Sequence, residues 1–128
     1  MTAKSQPSRL RFPAARRLKR NREFVRVRTE GRTIRGSLLL LGVLELAEES
    51  AFRVGFVTSK RVGGAVVRNR VRRRLREIVR RHQHNVRNGV WMVVVARPAA
   101  ARATSAKLEA EWRKLMGRGG VLRSAESS

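Results

Sequence analysis

No aspartate, cysteine or tyrosine occurs in this chain, and its acids amount to nine glutamates against 31 lysines and arginines. Each absence removes a class of chemistry. Without cysteine there are no disulfides and no thiolate metal sites, a composition compatible with a reducing compartment. Without aspartate, and with His82 and His84 as the only histidines, general acid–base pairs, two-metal nuclease centres and Ser/His/Asp triads have almost nothing to draw on. His82 with Glu77 is the nearest approach to such a pair, and a histidine ending a basic helix serves packing or phosphate contact instead. The apolar runs Leu38 to Leu41 and Val90 to Ala96 fall far below the ~20 residues that cross a bilayer, and no apolar segment near Met1 has secretory character. The expectation is a cytoplasmic polypeptide without catalytic residues, whose 128 residues suit one domain with one modest core.

What the chain has in excess is positive charge. A formal net charge of +22 and a pI near 12.0 point to RNA or DNA as the partner, ahead of a membrane surface. The charge is concentrated in Lys60 to Arg81, KRVGGAVVRNRVRRRLREIVRR, where ten basic residues face a single acid. From Ala65 onward Val67, Val71, Leu75 and Ile78 recur at helical spacing and predict one buried stripe. Asn69, Arg73, Arg76 and Arg80 lie roughly opposite. Arg68 and Arg72 border the stripe on one side, and Arg70, Arg74 and Arg81 border it on the other. So many like charges at helix-turn spacing repel one another, and arginine, nine of the ten, matches phosphate with a planar fork of donors. The helix therefore calls for a polyanion. The glycines of Val62-Gly63-Gly64-Ala65 let the chain turn sharply into it and leave backbone amides near its N-terminus.

In chain order, Met1 to Ala15 mixes Arg, Lys, Ser and Pro without a period and reads as a mobile basic arm, with Leu10 and Phe12 as possible anchors. Asn21 is placed to cap a short first helix that carries Phe24 and Val27 and stops at Gly31. Thr33 to Ser37 is a weak strand and Leu38 to Leu46 a firmer one. Phe52 to Ser59 is a third, and the last two read as a hairpin. In the third strand Val54, Phe56 and Thr58 alternate with Arg53, Gly55 and Val57, so one face is expected in the core and the other open to a ligand. A turn at Asn85 to Gly89 leads to Val90 to Ala96, apolar enough for burial on both faces. Thr104 or Ser105 caps a final helix with Leu108, Trp112, Leu115 and Met116 on one face and Gly117 as its stop. The order is α-β-β-β-α-β-α in one α+β domain over 16–117, followed by a disordered tail over 118–128.

The run SKRVGGAVVRNRVRRRLRE, with Arg68-Asn69-Arg70 opening a basic helix, resembles the signature of the bacterial ribonuclease P protein family. The resemblance extends over Arg17 to Met116, taking in Arg17-Leu18, Asn21 to Gly31, RVGFVTSK at Arg53 to Lys60 and VVVARP at Val93 to Pro98. It implies a two-layer α/β sandwich whose four-stranded sheet contains a left-handed crossover, against the usual rule. It also implies removal of the 5′ leader from precursor tRNA, with the catalytic RNA subunit performing the hydrolysis and holding Mg²⁺, and no dedicated metal site in the protein. The partners so implied are the ribonuclease P catalytic RNA and precursor tRNA, with no DNA, no membrane and no required protein oligomer. Carried over by residue, the catalytic-RNA set is Lys60, Arg61, Arg68, Asn69, Arg70, Arg72, Arg73 and Arg76, and the leader set is Phe24 and Arg28. Where related proteins often present a second aromatic after Phe24, this chain has Arg28, which shifts leader contact toward guanidinium stacking. A small basic ribosomal protein and a DNA-binding module are the alternatives. The ordered SK-x-x-GG-A-V-x-RNR segment speaks against the first, and the scarcity of Asn, Gln and Ser on the basic helix against the second.

Overall fold

The computed structural model describes residues 16–47, 49 and 51–123; the basic arm expected over Met1 to Ala15 and the last five residues lie outside it. The described chain forms α1 (Asn21–Glu30), β1 (Arg32–Arg35), β2 (Leu39–Glu45), β3 (Arg53–Thr58), α2 (Ala65–His82), β4 (Val90–Ala96) and α3 (Ser105–Arg118), in the expected order. The sheet order is β1-β2-β4-β3. β1 and β2 are antiparallel, as are β2 and β4, while β3 and β4 are parallel neighbours joined through α2.

The expected hairpin between β2 and β3 does not form. The hairpin is β1–β2, closed where the Gly36 amide donates to the Leu39 carbonyl at 2.8 Å. Strand β4 inserts between β2 and β3 because it is apolar on both faces and gains most from the centre of the sheet. Glu111 of α3 locks the hairpin turn: its carboxylate accepts from the Leu38 and Leu39 amides at 2.6 and 2.7 Å and from the Ser37 hydroxyl at 3.0 Å.

Alternation in the strands sends one set of side chains to each face. Leu39, Leu41, Val43, Val54, Met92 and Val94 join Val71, Leu75, Ile78 and Val79 of α2 and Leu108, Trp112, Leu115 and Met116 of α3 in the main core. The expected α2 stripe is thus buried, with Val79 added and Val67 at its margin. On the other face Leu44, Leu46, Trp91 and Val93 pack with Val27 of α1 and with Leu18, and Phe24 and Val57 adjoin them. The face of β3 expected to be open is therefore partly roofed by α1.

Three boundaries move for local reasons. Asn21 is not the cap of α1. Arg20 takes that place, and Glu23, three residues on, reaches back so that its carboxylate accepts from the Lys19 and Arg20 amides at 2.8 and 3.0 Å. Burial alone would raise the Glu23 carboxyl, but these amides and the charge of Arg53 outweigh it and hold the group below its ordinary range. At the other end Thr104 caps α3 as expected, accepting from the Lys107 amide at 3.1 Å. Gly117, however, continues the helix, and the chain turns only at Gly120, whose φ of +68° suits glycine. The tail read as disordered from Arg118 is structured as far as Arg123. Val121 is buried, Leu122 bridges to Val86, and the Arg87 amide donates to the Val121 carbonyl at 2.8 Å.

Candidate nucleic-acid interface

The turn into α2 is built by hydrogen bonds from the Val62 amide to the Ser59 carbonyl and from the Gly63 amide to the Lys60 carbonyl. Gly63 has φ +152°, and a Cβ there would stand 3.0 Å from the Val67 side chain, so glycine is required on both counts. The turn leaves Lys60 and Arg61 exposed directly ahead of the basic helix.

The arginines of α2 then divide by flank. Toward α3 the guanidinium groups are committed to the fold: Arg70 donates to the Ala101 carbonyl at 3.2 Å, Arg74 to the Ala103 carbonyl at 3.0 Å and Arg81 to the Glu109 carboxylate at 2.6 Å. His82 belongs to the same seam. Its Nε2 lies 2.6 Å from Glu109 Oε2 and its ring 5.4 Å from that of Trp112, so it pairs with Glu109 across the helices and not with Glu77. Glu77 instead pairs with Arg80 and Arg81. Arg70, placed by the resemblance in the RNA-facing set, thus has a structural bond of its own.

Toward β3 the arrangement is different. Arg72 donates to the Thr58 hydroxyl at 2.6 Å and to Asn69 Oδ1 at 3.1 Å, and the exposed Asn69 side-chain amide finds no acceptor among the described residues. Arg76 is half-buried, not outward as its helical position implies, and its buried Nε has no partner among the described residues; the same is true of the Arg68 Nε. Burial first, then the positive charges of Arg17 and Arg72, hold the Arg76 guanidinium below its ordinary range. The Arg76 guanidinium thus keeps a buried donor without an acceptor among the described residues while like charge stands beside it, which is an arrangement completed by an anion. The outermost ridge of α2 carries Val66, Asn69 and Arg73, all exposed.

A second feature lies beneath α1. The Phe24 ring rests on Gly55 so closely that a Cβ at residue 55 would stand 2.4 Å from it. Phe24, Val27, Arg28, Thr33, Leu40, Val57 and Val95 line a groove of about 310 Å³ between α1 and the sheet, bringing both residues of the expected leader set to one place. On the opposite flank of α1, Arg26 and Arg53 lie 5.7 and 5.5 Å from the Trp91 ring and hold the helix down. The convergence of Arg17 with Arg72 and Arg76 and the part played by Trp91 escaped the sequence reading. The alternation of β3 around Arg53 and Gly55 was the signal for the second of these.

Among the described residues no group of three His, Cys, Asp or Glu is placed to hold a metal ion, and no helix is long and apolar enough to cross a membrane. The carboxylates most drawn into the fold are taken up by cations and amides. Glu109 is an example, held below its ordinary range by the hydrogen bond from His82, against burial, with help from Arg81. A carboxylate depressed in the folded state contributes stability that is fully present above its unfolded value of about 4.3 and is lost as pH falls through the folded value. Wild type should therefore lose stability between roughly pH 5 and pH 3 more steeply than Glu109→Gln. Urea titrations across that range check this, and parallel curves would contradict it.

A small basic α+β domain with an arginine-rich helix laid beside a parallel strand pair, and a groove under its first helix, is the class that this geometry defines. Residues 12–120 match the Ribonuclease P family model. The ribonuclease P protein component of Beutenbergia cavernae is 48% identical over 98 residues, covering 77% of this chain and 82% of the relative. That of Roseiflexus castenholzii is 41% identical over 114 residues, covering 88% and 93%. The solved RNase P protein of Staphylococcus aureus superposes with a TM-score of 0.79 at 25% identity, over 84% of this chain and 98% of its own. The RNase P protein of Thermotoga maritima, 24% identical, shares the fold with a TM-score of 0.71, over 80% and 96%. The chain belongs to the ribonuclease P protein family. Membership makes it a protein component of a ribonucleoprotein endoribonuclease of tRNA processing, and so part of a complex with RNA.

Proposed function

We propose that this chain binds the catalytic RNA of ribonuclease P through α2 and the turn before it, and receives the 5′ leader of precursor tRNA in the groove beneath α1. The RNA subunit, holding Mg²⁺, then cleaves the leader from the tRNA in the cytoplasm. The observation that carries this reading is the buried Arg76 Nε, without an acceptor among the described residues, on the flank of α2 where Arg72 reaches Thr58. A phosphate of structured RNA supplies the missing acceptor. Lys60, Arg61, Arg68, Asn69 and Arg73 extend the surface along the same helix and turn, while Arg70 joins it only with whatever donors its bond to Ala101 leaves over. For the leader, Phe24 offers a ring and Arg28 a cation on the rim of one groove, the combination by which unpaired bases stack and phosphates are held.

Reconstitution tests the reading. The protein mixed with the matching RNA subunit should release the leader of precursor tRNA at Mg²⁺ concentrations where the RNA alone is slow. Nuclease-free protein without RNA should release none. Site-specific release by the protein alone, or no stimulation of the RNA, would overturn the proposal.

A further inference from the structure

Val66 is 78% exposed and is the one large apolar side chain that stands fully in solvent among the described residues. A lone valine on a mixed surface calls for no explanation, but the setting of this one is unusual. It sits in the first turn of α2, behind Gly64 and Ala65, which are also exposed and bear no polar side chain. Nothing lies within 4 Å of the space that a Cβ on Gly64 would occupy. The head of the most basic helix in the molecule is thus an uncharged ledge, between Lys60 and Arg61 on the turn and Arg73 two helical turns along the ridge. Valine is also a poorer helix former than alanine or lysine, so the local fold does not favour it at this exposed position.

We propose that Val66 is an apolar contact of α2 with the catalytic RNA, packing on ribose and base surface between phosphates held by its cationic neighbours. The proposal rests on the RNA-binding reading given above. Charge decides the occupant: a ledge enclosed by lysine and arginine suits a polyanion that also exposes apolar surface. RNA does so along its shallow minor groove and at unstacked bases. The ridge from Val66 through Asn69 to Arg73 then offers an apolar group, an amide donor and a cation in sequence, matching sugar, hydroxyl and phosphate.

The contact differs from its neighbours in how it responds to salt. Guanidinium contacts release counterions and lose strength as salt rises, whereas burial of a valine does not. Binding of the catalytic RNA to wild type, Val66→Ala, Val66→Thr and Arg73→Ala would be titrated at several salt concentrations, with melting of each free protein. Val66→Ala and the isosteric Val66→Thr should bind about three- to tenfold more weakly at every salt concentration, with the wild-type slope of log K against log salt. Val66→Ala should melt no lower than wild type. Arg73→Ala should instead flatten the slope. Wild-type affinity in both Val66 variants, or a slope changed as in Arg73→Ala, would overturn the contact while leaving the RNA-binding reading intact. Failure of wild type itself to bind would remove both.

Discussion

Phe24→Leu should weaken the reconstituted holoenzyme's hold on precursor tRNA bearing a leader, by up to about 1 to 3 kcal/mol, and leave its affinity for mature tRNA unchanged. The expectation comes from the double position of the side chain. One side of the ring packs on Gly55 at the edge of the smaller core, and the residue is only half-buried and lines the groove under α1. Leucine keeps apolar volume over Gly55 but removes the π-face. Phe24→Ala removes both. Full burial of a phenylalanine would make that substitution cost about 3 to 5 kcal/mol of stability, and half-burial brings the expected loss to roughly 2. Gly55→Ala attacks the same contact from the strand, because its new Cβ cannot coexist with the ring where it lies. It should reproduce the leader defect with Phe24 itself unchanged. Melting of each variant, with affinities for precursor of several leader lengths and for mature tRNA, separates the roles. If Phe24→Leu binds leader-bearing precursor as wild type does, the ring is packing alone and Arg28 with the groove floor would have to carry the leader.

The sequence showed most clearly those parts of the fold that depend on local periodicity. Val71, Leu75 and Ile78 recur at helical spacing and are buried, and Val90 to Ala96, apolar on both faces, is one of the two inner strands. Strand neighbours were less legible, because pairing is a non-local choice. β2 and β3 adjoin in the chain, yet β4, later in sequence, gains more by lying between them. Site residues divided in the same way. That α2 meets a polyanion could be read from charge alone. Which arginines are free to do so could not, since Arg70 and Arg74 find carbonyls about 30 positions away, and Arg76 turns inward toward Arg17 and Arg72. The tail beyond α3 was illegible for a related reason: Val121 and Leu122 have too little pattern to announce a strand, and Leu122 finds its bridge partner, Val86, far earlier in the chain.

The two flanks of α2 should respond to substitution with opposite signs. On the α3 side, Arg70→Ala removes a charged donor from the Ala101 carbonyl and should cost about 1.5 to 3 kcal/mol of stability, while the salt slope of RNA binding changes little. On the β3 side, Arg76→Met keeps the apolar stem but deletes the charge. The Arg76 guanidinium is held below its ordinary range by burial and by Arg17 and Arg72, so its charged form is less favourable in the folded protein than in the unfolded chain. Deleting that charge should leave the free protein at least as stable as wild type, with a melting temperature equal to or above it. The same substitution removes a cation from the proposed phosphate seat, so RNA affinity should fall and the log–log salt slope should drop by about 0.7 to 0.9. A residue that costs stability when the protein is alone and contributes affinity when RNA is present is placed for its partner, not for the fold. Melting curves and salt titrations on Arg70→Ala and Arg76→Met decide the matter together. A destabilised Arg76→Met with an unchanged slope would make the β3 flank structural too, and would confine the RNA surface to the outer ridge of α2 and the turn before it.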